Sequence, residues 1–309
     1  MVKVCVLMGG ISSEREVSLN SGANVMKALR DGGLDAFVHD FDGDIKRLIL
    51  VLESRKPDVV FNILHGRFGE DGYVQAVLDM VGMPYTHSGF LASAICMNKF
   101  YTNAILASRG VRVPRNKVVS REDYEDGNTM PVPYVMKPID GGSSIGVHIV
   151  KSGEPPLKEW PYGSDSALVE EYVSGRELTV AVFKGEALGV TEIIPAEGFY
   201  DYNNKYTAGG ARHVLPADIG GASAAAAKEI ASKAYGILGC SGLARADFIY
   251  DGRDMVFLEM NTQPGMTELS LAPEQAKARG IPFEALVRIM VEDALARAAP
   301  ISAALSGKQ

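Results

Sequence analysis

The chain opens on "VKVCVLMGG", an unbroken apolar run rich in β-branched residues that stops at a glycine pair, the pattern of a strand buried on both faces. "SEREVSLNSGANVMKALRDGG" follows, with apolar positions at Val17, Ala23, Val25, Met26 and Leu29, a helical spacing closed by glycines. "DAFVHDFD" then predicts a second strand, "IKRLILVLESRK" a helix and "PDVVFNILHG" a third strand. Strands alternating with helices at this spacing predict a parallel sheet with helices on its faces. Such sheets take ligands at the C-terminal ends of their strands, where "GGISSERE" and "HGRFGEDG" both fall.

After a helix in "NKFYTNAILASRG" the texture changes to strands punctuated by Gly and Pro, in "PYVMKPIDGGSSIGVHIV" and "SALVEEYVSGRELTVAVFKGEALGVTEII". That pattern predicts mostly antiparallel pairing, with a turn at Ser174-Gly175. The remainder predicts an alanine-rich helix from Ala222 to Leu238, a hairpin from Leu243 to Asn261 and a last helix from Phe283 to Ala298, with "ISAALSGKQ" expected to fray. The fold class is therefore α/β shading into α+β. A chain of 309 residues, 47% of them hydrophobic, exceeds what one core usually supports. The expected division is 1–96, 97–184 and 185–309.

Charge and composition narrow the partners. A net charge of -7 and a pI near 5.4 argue against nucleic acid as the main partner, so any phosphate site is local. No apolar segment approaches the roughly 20 residues that span a bilayer, and the N-terminus lacks the pattern of an export signal. Cys5, Cys96 and Cys240 stand far apart with no zinc spacing, as expected of small apolar residues in a reducing cytoplasm.

The hairpin "LARADFIYDGRDMVFLEMN" carries the clearest chemistry. Its apolar alternation is broken by Arg245, Asp247, Glu259 and Asn261. An odd-numbered connection pairs 247 with 259 and 245 with 261, and puts all four polar residues on one face. Ala246, Phe248, Tyr250, Val256, Leu258 and Met260 then share the other face. Two carboxylates and an amide with no soft ligand nearby suit Mg²⁺ or Mn²⁺. A salt-bridged solvent face would use the same residues; the continuation into the irregular "LEMNTQPGMTELS" favours the metal.

"KPIDGGSSIGV" is a strand ending in Lys137, a glycine-rich turn and a second strand. Backbone N–H groups of such a turn can cradle phosphate, although a plain hairpin turn has the same composition. It is no Walker A loop, since it leads to a strand and no Gly-Lys-Ser/Thr follows; nor does a GxGxxG follow the first strand. The acids of "ALVEEYVSGRELTV" fit exposed strand positions, the histidine of "HGRFGEDG" fits a turn, and helix capping explains the acids of "GGISSERE".

Taken in order, "GGISSEREVSLNSG", "LHGRFGEDG", "PYTHSGFLASAICMNK", "KPIDGGSSIGV", "EEYVSGRELTV", "FYDYNNKY", "GLARADFIY" and "LEMNTQPGMTELSL" resemble the D-alanine–D-alanine ligase family of the ATP-grasp superfamily. The resemblance implies a Rossmann-like N-terminal domain, a small central domain and a C-terminal domain, with ATP gripped between the last two. It implies ATP as cosubstrate, two Mg²⁺ or Mn²⁺ ions, two molecules of D-alanine, a homodimer and a role in peptidoglycan precursor synthesis.

By resemblance, Asp247, Glu259 and Asn261 are metal ligands, and Lys99, Lys137 and Lys205 contact phosphates. Arg245 steadies the transferred phosphate. Glu170, Glu171 and Val173 receive adenine and Glu177 the ribose. Glu14 holds the first D-alanine's ammonium with His65 nearby, Ser270 with Gly265 binds the second D-alanine's carboxylate, and Glu14, Ser143 and Tyr206 form a hydrogen-bonded set.

"FYDYNNKYTAGGAR" would then be a lid, with Gly209-Gly210 supplying its freedom. Tyr206 favours D-alanine over D-lactate or D-serine as second substrate. The intact ligand set argues against an ATP-binding regulator without turnover. Gly141 stands where many relatives carry an acid, so contacts of that turn are expected to differ.

Overall fold

The computed structural model describes residues 1–142, 144–153, 159–196, 210–267 and 270–306, with side chains described as far as residue 298. Strand β1 (Lys3–Gly9) is the centre of a parallel sheet, flanked by β2 (Asp35–Phe41) and β3 (Val59–Asn62). Its continuous apolar run divides between two faces. Val4 and Val6 pack with Val25, Met26 and Leu29 of helix α1 (Arg15–Asp31), while Cys5 and Leu7 pack with Leu48 and Leu52 of α2 (Ile45–Arg55). Ala23, expected on the buried stripe of α1, is exposed. Helices α3 (Tyr73–Met80), α4 (Phe90–Met97) and α5 (Lys99–Ser108) follow. Asn98 separates the last two and caps α5, accepting from the Tyr101 N–H at 3.0 Å.

A second, antiparallel sheet has the order β4 (Asn116–Ser120), β7 (Ser166–Glu171), β5 (Tyr134–Lys137), β6 (His148–Val150). Its core is small, built on Val119, Tyr134, Met136 and Val169. Helix α6 (Arg121–Glu125) leaves β4 through a capping box at Ser120. The third sheet runs β11 (Ala211–Val214), β10 (Thr191–Pro195), β8 (Arg176–Phe183), β12 (Leu243–Tyr250), β13 (Met255–Asn261), with β9 (Glu186–Ala187) on β8. Leu178, Val180 and Val182 of β8 meet the alanine face of α7 (Gly221–Ile237), at Ala227, Ala231 and Ala234. The last helices are α8 (Leu271–Ala278) and α9 (Phe283–Ser306), the latter longer than the span to Ala298 that its pattern predicts. Leu286, Val287 and Met290 of α9 return to the face of β1 that carries Val4 and Val6.

Two expectations need correction. The turn at Ser174-Gly175 does not fold β7 back on β8; it carries the chain from the second sheet into the third. Strand alternation specifies which side chains are buried, not which neighbour a strand pairs with, so the misreading is a physical one.

The register of the β12–β13 hairpin is also built differently. Arg245 faces Asn261 and Asp247 faces Glu259 as predicted, but the turn is the four-residue Asp251–Asp254, with Tyr250 opposite Met255. A register shift beyond Asp247 leaves Leu258 as the extra residue, so Phe248 faces Phe257. The two rings meet edge to face at 5.6 Å. Phe257 and Met255 join the core in place of Val256 and Leu258, and Leu258 turns toward a cavity on the other face.

Candidate functional site

Sheets two and three enclose a cavity of about 430 Å³, and a second of about 590 Å³ lies against the N-terminal sheet. Lys99, Gly141, Gly142 and Glu259 line both, so the two spaces meet at these residues. Ser143, Lys205 and Tyr206 lie outside the described residues. Every other predicted site residue lines one cavity or both: Lys137, Glu170, Glu171, Val173, Glu177 and Asp247 the smaller, Glu14, His65, Arg245, Asn261, Gly265 and Ser270 the larger.

The junction is charged and its charges are paired. Asp247 on β12 accepts two bonds from Arg245, two residues away on the same strand face, at 2.8 and 2.7 Å, and a third from Thr179 Oγ1 at 2.6 Å. Glu259 Oε2 is 3.2 Å from Lys99 Nζ. Lys99 stands in the first turn of α5 and also donates to the Gly141 carbonyl. Asn261 Oδ1 accepts from the Gln263 N–H at 2.8 Å. Among the described residues no three His, Cys, Asp or Glu side chains form a ready-made metal cage. Two carboxylates and an amide oxygen on one strand-pair face nevertheless fit a hard divalent cation that keeps waters and completes its shell with phosphate oxygens.

Toward the smaller cavity, Lys137 Nζ lies 2.6 Å from Glu170 Oε2, and Asn103 Nδ2 donates to Glu170 Oε1 at 2.9 Å. Glu171 turns to Arg115, which donates through Nε at 2.6 Å and its backbone N–H at 3.1 Å. Burial pushes the Glu171 carboxyl up, but these Arg115 bonds outweigh it and hold the group below its ordinary range. Arg176 and Glu192 close one wall through a bidentate pair at 2.6 and 2.5 Å.

In the larger cavity, Glu14 precedes α1 and is 7% exposed. Ser12 Oγ accepts from the Glu14 N–H at 3.2 Å and donates to the His65 carbonyl at 2.7 Å, tying the two strand-end loops together. Gly66, at φ +66°, follows His65; a Cβ there would come within 2.8 Å of Ser12 Cβ, so only glycine permits this approach. The His65 ring is no satisfied turn residue: it is buried, and its Nε2 has no hydrogen-bond partner among the described residues. Burial holds it below its ordinary range, against Glu14 and together with Arg245. Ser270 Oγ accepts from the Thr267 N–H at 2.9 Å, and a Cβ on Gly265 would stand 3.0 Å from that oxygen.

Sequence reasoning missed two features. Glu70 lines the larger cavity, its Oε1 accepting from the Gly66 N–H at 3.0 Å. Burial, with Glu14 and Glu259 nearby, pushes it up to about 8, against the Gly66 bond and Lys99. Its signal was present, a carboxylate four residues beyond Gly66, but turn composition concealed it. Asn62 Nδ2 donates to Gln263 Oε1 at 2.9 Å, fastening the loop after β13 to the first sheet; nothing local in the sequence marks that long-range pair.

A nucleotide-sized cavity between two antiparallel sheets, opening at lysines and paired acids onto an amino-acid-sized space beside a parallel sheet, is the architecture of an ATP-grasp ligase. Residues 51–88 match the family model described as D-ala D-ala ligase N-terminus, and residues 105–292 the one described as D-ala D-ala ligase C-terminus. A D-alanine–D-alanine ligase of Paramagnetospirillum magneticum is 50% identical over 94% of this chain and 98% of its own. That of Acidiphilium cryptum is 49% identical over 96% of this chain and 100% of its own. The crystal structure of the Bacillus anthracis enzyme complexed with ATP, 30% identical, superposes with a TM-score of 0.80 over 97% of this chain and 98% of the other. The chain belongs to the D-alanine–D-alanine ligase family.

Proposed function

We propose that this chain joins two D-alanines into D-alanyl-D-alanine, with ATP converted to ADP and phosphate, and that the reaction runs where its two cavities meet. The observation that carries the assignment is the shared wall: Lys99 and Glu259 border both spaces. Nucleotide in the smaller cavity and amino acid in the larger would bring a γ-phosphate and a carboxylate to the same charged junction. The first D-alanine's carboxylate oxygen attacks the γ-phosphorus and ADP leaves. The second D-alanine's amine then attacks the acyl-phosphate carbonyl, and phosphate leaves as the amine loses its proton.

Phosphoryl transfer between two anions depends on positioning and charge stabilisation more than on covalent help from the protein. Asp247, Glu259 and Asn261 would hold the divalent cations, which would supply positive charge to the phosphates. Arg245 and Lys99, which pair here with Asp247 and Glu259, bring positive charge to the transferred phosphate. Lys137 does the same at the nucleotide side, with Glu170, Glu171, Val173 and Glu177 lining the adenosine space. Glu14 receives the first ammonium, and Ser270 beside Gly265 the second carboxylate. Ser143, Lys205 and Tyr206 carry the family's loop roles by resemblance, excluding water from the acyl phosphate.

The chain divides into the three parts read from its sequence, with the second boundary moved from 184 to before Arg176; the pairing of β8 into the third sheet supports that shift. A homodimer through the N-terminal part is supported by exposed apolar residues Tyr73, Phe90 and Leu91 on α3 and α4. Three free thiols and a need for ATP agree with a cytoplasmic enzyme. Offering D-alanine with D-lactate or D-serine, products identified by mass, tests the choice of second substrate. A depsipeptide or D-alanyl-D-serine as main product would overturn it.

A further inference from the structure

We propose that Asn62 and Gln263 are positioning residues, a buried two-amide clamp that holds the segment leading into His65 and the loop from Asn261 to Ser270 at a fixed separation across the larger cavity. The consequence for D-alanine rests on the reading of that cavity as the amino-acid site; the clamp itself does not.

Asn62 ends β3 and Gln263 lies just beyond β13, 201 positions further along the chain, and both are buried. Main-chain groups decide how the two amides are turned. The Gly69 and Leu64 carbonyl oxygens can only accept; Asn62 Nδ2 donates to the first at 3.0 Å and Gln263 Nε2 to the second. Each amide therefore points its nitrogen at a carbonyl and its oxygen elsewhere. Asn62 Oδ1 accepts from the Leu64 N–H at 3.2 Å, and Gln263 Oε1 accepts from Asn62 Nδ2 at 2.9 Å. Leu64, next to His65, is thus gripped at its N–H by one side chain and at its C=O by the other. A carboxylate cannot donate and a hydrocarbon can neither donate nor accept, so both positions demand an amide.

The clamp reaches the opposite loop through the main chain. The Gln263 N–H donates to Asn261 Oδ1 at 2.8 Å and so orients the amide proposed as a metal ligand. Three residues on, the Met266 N–H donates to Ser21 Oγ of α1 at 3.2 Å, and Met266 joins the apolar core that holds Val25 and Leu29. Pro264 and Gly265 stand between these two anchors and line the cavity, with Gly265 beside Ser270. The N–H groups of Gln263, Met266 and Thr267 all go to side chains, so anchors of this kind, rather than a strand ladder, set where the loop stands.

Leu64 leads into His65, and Gly69 precedes Glu70. The clamp therefore sets how far the His65 and Glu70 wall of the cavity stands from the Gly265 and Ser270 wall. That separation determines whether two amino acids held on opposite walls come within reach of each other.

Hydrogen exchange of the full chain without substrate, read by mass spectrometry on peptides covering 262–267, tests the clamp. Gln263→Leu should exchange there at least about tenfold faster than wild type; equal rates overturn the proposal. The double variant Asn62→Leu/Gln263→Leu removes both amides together, so neither is left buried without its partner, and it serves where the single variant fails to fold. Its loop should exchange as fast, and apparent KM for D-alanine should rise about tenfold while kcat and KM for ATP stay within about twofold of wild type. A double variant with wild-type KM for D-alanine, or with both KM values raised alike, reduces the clamp to a structural contact and overturns the proposal. Inactive wild-type enzyme would sink the functional reading and leave the exchange result standing.

Discussion

Replacing Lys137 with methionine removes the cation from a pair whose carboxylate has almost no access to water. The Lys137 and Glu170 side chains are 10% and 3% exposed, and their charged atoms are 2.6 Å apart. Methionine keeps the bulk of the lysine stem, so little cavity is created. What remains is a buried carboxylate held by one neutral donor, Asn103 Nδ2. Breaking a buried pair from one side costs about 3–5 kcal/mol, whereas replacing both charges with apolar groups is often neutral. At about 2–4 °C per kcal/mol, Lys137→Met should lower the melting midpoint by about 6–20 °C. Adding Glu170→Leu should recover most of that loss, to within about 1–2 kcal/mol. Thermal denaturation followed by circular dichroism measures both, and calorimetric ATP titration of the double variant should still show weakened binding. A single variant that melts with the wild type, or a double variant no more stable than the single, would refute the buried-pair argument. Wild-type ATP affinity in the double variant would refute the role of Lys137 at phosphate.

Glu259→Gln should lower kcat by at least about 100-fold, because it removes a carboxylate at the junction of both cavities; a near-normal rate of ADP release would count against the metal assignment. Gly265→Ala brings a Cβ to 3.0 Å from Ser270 Oγ and should raise apparent KM for D-alanine several-fold without changing KM for ATP; an unchanged D-alanine KM would remove Ser270 from the second-carboxylate role. Glu70 keeps its proton up to about pH 8 in the folded chain against an ordinary 4.5, so the folded state binds more protons between these values and stability falls as pH rises through them. Glu70→Gln should flatten that fall in urea midpoints measured across the range, and an unaltered slope would exclude Glu70 as its source.

How much of this was legible in the sequence depended on whether the information was local. The unbroken apolar run of β1, the helical spacing of α1 and the alternation of the β12–β13 hairpin identified these elements because burial on one or two faces imposes period and composition directly. The pairing of Asp247 with Glu259 was legible for the same reason. The bulge at Leu258 was not, since Leu and Phe257 are equally apolar and only the third-sheet core chooses between them. The separation of β7 from β8 was hidden because a Ser-Gly turn serves a hairpin and a crossing between sheets alike.

Within the site, the proposed metal ligands became candidates on chemistry alone, whereas Glu14, Ser270 and the lysines became candidates only through the family resemblance. Glu70 escaped because what distinguishes it is tertiary: burial and neighbouring charge.

If one charged junction couples ATP cleavage to amide formation between two D-alanines, the purified protein given ATP, Mg²⁺ and D-alanine alone, assayed at once for ADP and for dipeptide by mass, should release one ADP for each D-alanyl-D-alanine formed. No ADP above background across millimolar D-alanine, or ADP formed without dipeptide, would contradict it.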